Sequence, residues 1–156
     1  MRDEVTLRVD APPDRVWALV TDVTNTGRFS PETFEAEWIE GATGPAVGAR
    51  FRGHVRRTGL LGKLGVTYWT KCTVVECEPD RVFTFVVGTP ERPINKWGYR
   101  FQPAGAGTEV TEFYELPDTT ASRWYWRIAG SGRGKTNADG MRRTLELVKA
   151  AAESGG

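Results

Sequence analysis

Glu112 is the side chain best placed to do chemistry. Along Val110 to Leu116 it shares the parity of Val110, Tyr114 and Leu116, while Thr111, Phe113 and Glu115 take the other. An extended chain alternates its faces, so Glu112 points with the apolar set. A carboxyl group among apolar neighbours holds its proton more tightly and can act as acid or base near neutral pH. The structural alternatives are that Arg100 or a backbone amide simply pairs it, or that a bulge reverses the parity.

The other reactive residue types read differently. His54 is the only histidine and the natural general base. However, Phe51, Gly53 and Val55 hold the apolar parity, and His54 falls with Arg50, Arg52 and Arg56 on an outer, solvated face. Cys72 shares the parity of Tyr68, Thr70 and Val74 and packs as a small hydrophobe, with no adjacent base to activate it. Cys77 follows five positions later on the same predicted strand. That spacing puts the two thiols on opposite faces and argues against a disulfide. No grouping of Cys, His and acids has metal-ligand spacing, so no metal and no cofactor is expected. Ala129 to Thr136 (AGSGRGKT) fits a relaxed phosphate-loop pattern, but the strand–loop–helix context it requires is missing. A glycine-rich kink in the last helix is the plainer reading.

These residues must be held by a sheet. Val5, Leu7 and Val9 alternate in a first strand that passes into Asp10-Ala11-Pro12-Pro13, a helix start. Val16, Leu19, Val20 and Val23 follow at helical spacing, and Phe29-Ser30-Pro31 marks a short turn or second small helix. Strands are expected at 34–39, 49–57, 66–77, 82–87, around Trp97, and at 108–116, with 58–65 as a glycine-rich connection. Trp97, Tyr99 and Phe101 share one side of their strand, as do Phe83, Phe85 and Val87. Thr119 to Ala129 can be helical, with Trp124 and Ile128 on one side, before Gly130 to Gly134 weakens it. From Asn137 onward Met141, Leu145, Val148 and Ala152 form one stripe, and Arg142, Glu146, Lys149 and Glu153 form an outer, salt-bridging face.

The chain of 156 residues carries a formal charge of +1 and a pI near 7.8, with 39% hydrophobic and 26% charged residues. That is an ordinary composition for one soluble domain spanning residues 1–156, and it gives no electrostatic case for nucleic acid. No apolar run approaches a membrane span. The opening residues lack the apolar centre of a signal peptide, so a cytoplasmic location is expected.

Taken in order, APPDRVWALVTDV, GARFRG, TVVECEPDRVFTFVVG, WGYRFQPAGAGTEVTEFYELP and GMRRTLELVKAAAE resemble the START-like (SRPBCC) superfamily. Within it they resemble the polyketide cyclase/dehydrase and lipid-transport branch. The resemblance implies an α+β helix-grip fold, in which a curved antiparallel seven-stranded sheet wraps a long C-terminal helix, with two short helices after the first strand. It also implies a hydrophobic ligand cavity. Phe83, Phe85, Trp97, Tyr99, Phe101, Met141, Leu145 and Val148 are the expected wall. Tyr68, Thr70, Tyr99 and Tyr114 can offer hydroxyls there, beside Cys72, or else fill the core with their tips in solvent. Trp17, Trp38 and Trp69 are expected to be packing residues.

The expected function is binding of a lipid, polyketide or isoprenoid-type molecule. One alternative is a polyketide cyclase/dehydrase in which Glu112 and pocket tyrosines move protons. A second is a protein-interaction module using the Arg50 to Arg57 face. Arg123-Trp124-Tyr125-Trp126-Arg127, with Arg133 and Lys135, mixes rings and cations in a way that suits transient membrane contact. The plainer account is a helix with one ring buried and its cations solvated. Oligomeric state is left open.

Overall fold

The structure is a computed structural model that describes residues 2–57 and 65–155; within 120–135 it describes the side chains of residues 120, 123, 124, 127 and 135 only. The elements run β1 (Arg2–Val9), α1 (Pro13–Thr21), a 3-10 turn (Val23–Asn25), α2 (Thr26–Phe29), β2 (Thr33–Ile39) and β3 (Arg50–Arg57). Then come β4 (Val66–Glu78), β5 (Val82–Thr89), β6 (Arg92–Ala104), β7 (Gly107–Glu115) and α3 (Thr120–Ser154). All seven strands form one antiparallel sheet in the order β1-β7-β6-β5-β4-β3-β2. This is the helix-grip arrangement.

Local chemistry explains the boundaries. Pro12 and Pro13 open α1, where a missing N–H costs nothing. Asp22 accepts a bond from the Thr24 amide and caps the 3-10 turn. Asp80, at φ 60°, turns β4 into β5. The glycines at 130–134 do not interrupt α3, whose backbone is helical throughout. The side chains of Ile128 and Arg133, and most of the 58–65 connection, lie outside the described residues.

α3 lies along β1 and runs in the same direction. Lys149 Nζ donates to the Arg8 carbonyl at 3.1 Å, and the Asp10 amide donates to Glu153 Oε1 at 2.8 Å. Two of the outer-face residues of the stripe thus tie the helix to the sheet edge. The apolar stripe closes a core of Val5, Val9, Val16, Phe101, Val110 and Tyr114 against Met141, Leu145 and Val148. A second core under β3, β4 and β5 holds Val23, Phe51, Cys72, Val74 and Phe83. Trp17 and Tyr99 touch both; Trp17 meets Phe101 edge-on at 5.5 Å and Phe83 at 6.2 Å.

A bulge in β4 corrects the cysteine parity. Pairing with β5 passes from Val74–Phe85 to Glu76–Thr84, leaving Val75 over. Cys77 therefore lies opposite Phe83 and packs against the same inner core as Cys72. Both thiols are free. The reason is their separation of about 16 Å along one strand, not opposite faces.

Candidate ligand-binding site

Glu112 sits on β7 between Val5 of β1 and Tyr99 of β6. Its side chain points inward as parity requires and is 5% exposed. Arg100 lies on the outer face and pairs with Glu4 at 2.8 Å, so it does not neutralise Glu112. The Tyr99 hydroxyl donates to Glu112 Oε1 at 3.0 Å, and Oε2 is buried without a partner among the described residues. Burial pushes the Glu112 carboxyl from 4.5 up to about 8, outweighing the Tyr99 hydrogen bond, which favours the ionised form. Tyr99 is held well above its usual value by burial and then by the neighbouring Glu112 charge. At pH 7 Glu112 is mostly a neutral acid whose free oxygen can donate a proton.

Three further polar side chains share this inner side and escaped the sequence reading. Asp3 pairs in register with Tyr114; its parity is that of Val5, one step before the alternation that was read. Asn137 stands one turn before Met141 on the α3 stripe and is 6% exposed. Asn95 precedes Trp97 at the same parity. Each has a buried polar atom without a partner among the described residues: Asp3 Oδ2, Asn137 Nδ2 and Asn95 Oδ1. In each case the signal was present as an extension of a pattern by one repeat.

The expected wall divides into two groups. Phe83, Phe101, Met141, Leu145, Val148 and Cys72 are fully packed core residues, at 3% exposure or less. Phe85, Trp97 and Tyr99 are only partly covered. Trp97 meets Tyr114 at 4.6 Å, so β6 and β7 bring Trp97, Tyr99, Tyr114 and Glu112 together. Tyr68 and Thr70 are not part of that group. They sit on β4, three strands from β7 and so about 14 Å away. Tyr68 is 38% exposed, and the Thr70 hydroxyl donates to the Gly53 carbonyl at 3.2 Å. Burial raises the Cys72 thiol to about 12, which removes it as a nucleophile.

The outer face holds surprises of its own. His54 does point outward, but it is packed rather than solvated. Its ring stacks on Trp69 at 4.4 Å and meets Phe34 at 4.3 Å, with Nδ1 2.7 Å from Glu35 Oε1. Trp69 is thus a packing residue, though on the outer face and 42% exposed. Phe113 also faces outward yet is 3% exposed. It lies across Gly98, where any side chain would run into its ring, and Arg2 and Arg100 sit 5.0 and 4.9 Å from its centre.

Among the described residues, no group of three His, Cys, Asp or Glu side chains is placed to hold a metal ion. No described helix is long and apolar enough to cross a membrane. A groove of about 970 Å³ between the start of α1 and the β4–β5 turn is lined by Asp14, Glu78, Arg81, Val82 and Phe101 among others. Its wall mixes charged and apolar side chains and shares Phe101 with the inner face.

Solved structures share this architecture. A Nitrosomonas europaea protein aligns with a TM-score of 0.71 at 13% identity, over 99% of this chain and 96% of its own. A Polyketide_cyc-like protein of Corynebacterium glutamicum is 30% identical, with a TM-score of 0.52, over 97% of this chain and 85% of its own. The di-domain ARO/CYC StfQ of the steffimycin biosynthetic pathway aligns with a TM-score of 0.67 at 16% identity. That match covers 98% of this chain and 50% of StfQ. No functionally curated protein matches the chain. The family model described as polyketide cyclase / dehydrase and lipid transport matches residues 2–153, and the chain therefore belongs to that family.

Proposed function

We propose that this protein binds a hydrophobic small molecule of lipid, polyketide or isoprenoid type between the inner face of its sheet and α3. One observation carries the reading. Phe85, Trp97 and Tyr99 present a partly covered aromatic wall, while the described packing of α3 falls chiefly on β1, at the sheet edge. Apolar area withdrawn from water contributes about 25 cal/mol per Å². A ligand burying about 300 Å² against this wall gains about 7 kcal/mol before the cost of its immobilisation.

The test is native mass spectrometry of protein purified from a host extract, followed by organic extraction. A copurifying lipid or polyketide-like mass supports the reading. Failure both to copurify a ligand and to take up any apolar probe overturns it.

A second reading, a polyketide cyclase/dehydrase, is favoured by the neutral Glu112 acid bonded to Tyr99 beside that wall. Such an enzyme would hold a folded chain in a reactive shape and move one proton through Glu112. Glu112→Gln distinguishes the two: a binder keeps its affinity, whereas an enzyme keeps binding and loses turnover.

A further inference from the structure

Of the large apolar side chains exposed among the described residues, Val47 alone lies at the end of the sheet where β1 passes into α1. Phe34, Val66, Tyr68, Trp69, Ile94 and Trp124 all gather at the other end. The registers fix this. Arg57 pairs with Val66, Thr89 with Arg92 and Arg2 with Glu115. The end of β3, the start of β4, the β5–β6 connection and the exit from β7 into α3 therefore share one end. Val66, Ile94 and Trp124 are 65%, 64% and 66% exposed, and they project from three separate segments.

Near the β1–α1 end Arg8, Arg50 and Arg81 are each held by an acid, Asp10 at 3.2 Å, Glu40 at 2.7 Å and Glu78 at 3.4 Å, whereas Arg15 of α1 is in no ion pair among the described residues. At the apolar end Arg123 is held by Asp118 and Arg56 lies over the Phe34 ring at 4.9 Å. Arg57, Arg92 and Arg127 are exposed and in no ion pair among the described residues, and Glu91, beside Arg92, is exposed and likewise in none.

We propose that this end of the protein docks on the surface of an anionic lipid bilayer. Isolated apolar side chains on separate segments suit the boundary between headgroups and acyl chains, and guanidiniums between them meet lipid phosphate. A second copy of the chain fits less well, because three unpaired cations meet for each unpaired Glu91. Docking does not depend on the cavity reading; it adds a route by which an insoluble ligand reaches the wall.

The test is co-sedimentation of the full chain with phosphatidylcholine vesicles made with and without phosphatidylglycerol, at low and high salt. Binding is expected only with the anionic lipid and falls as salt rises. Arg92→Glu and Arg127→Glu each lower the partition by about fivefold or more. Ile94→Asp and Val66→Asp lower it further. Val47→Asp, equally exposed at the opposite end, leaves it unchanged and controls for folding.

No partition into anionic vesicles, or equal behaviour of Ile94→Asp and Val47→Asp, overturns the proposal. So does a vesicle-free dimer that Ile94→Asp converts to monomer. Uptake of an apolar probe in solution, measured on the same variants, separates the two readings. Probe uptake without docking sinks docking alone, and docking without probe uptake sinks the cavity alone.

Discussion

Replacing Glu112 with Gln should flatten the pH dependence of stability. The unfolded chain releases the Glu112 proton near pH 4.5 and the folded chain only near 8. Below 4.5 both states hold it. Between those values the unfolded state sheds a proton that the native state keeps, so stability falls as pH rises, and the loss is complete above about 8. At 1.36 kcal/mol per pKa unit the full loss is on the order of 4–5 kcal/mol, with about 3 kcal/mol already present at pH 7. Glutamine keeps the shape and still accepts the Tyr99 hydroxyl, but it cannot ionise in either state. Tyr99 from β6 is the titratable group bonded to Glu112, and Val5 is its register partner on β1. Urea unfolding of both proteins at several pH values between 4.5 and 8.5, followed by far-ultraviolet circular dichroism, measures the effect. The stability of the Gln variant relative to the parent should rise by about 3 kcal/mol between pH 4.5 and 7. Parallel curves for the two proteins would refute the burial of a neutral acid.

Three further outcomes follow from the same geometry. Tyr99→Phe removes the described hydrogen bond to Glu112 that favours ionisation, so the carboxyl pKa should rise further and the stability loss extend to higher pH in the same urea series. Gly98→Ala forces a methyl group into the Phe113 ring and the Thr84 hydroxyl; denaturant midpoints should report a loss of about 1–3 kcal/mol. Cys72, whose thiol is raised to about 12 and buried, should resist a thiol reagent in native protein and label only on unfolding. The partly covered Cys77 should label first.

The sheet was legible because alternation survives wherever one face is oily. Trp97, Tyr99 and Phe101 announce β6, and the parity of Glu112 is right because β7 pairs with β1 and β6 without a slip. Parity failed at Cys77, where a single extra residue at Val75 inverts every later position, and no local residue type marks that bulge. Phe113 and His54 show a different limit. Parity gives the face but not the cover, and here long cations and stacked rings bury outward residues that an amphipathic pattern assigns to water. The helix through Gly130 to Gly134 ran against propensity, which is a weak prior beside the constraints of a 35-residue element. Asp3 and Asn137 went unread because a polar residue at the end of an apolar stripe looks like its terminator.

Glu112 is the point where fold and function pull apart. As a structural residue it is a poor choice: one oxygen has no partner among the described residues, and at pH 7 its retained proton costs about 3 kcal/mol of stability. An apolar side chain of similar volume would remove both costs. On the proposed reading, the same residue would give the partly covered aromatic wall a neutral donor for an oxygen of an otherwise apolar guest. On that reading the stability cost and a ligand preference would rest on one carboxyl group. A leucine at position 112 should stabilise the protein while weakening its hold on oxygen-bearing ligands, leaving purely hydrocarbon ones bound as before. A stabilised Leu variant with unchanged selectivity would return Glu112 to the core as an unexplained defect and leave the wall alone to account for binding.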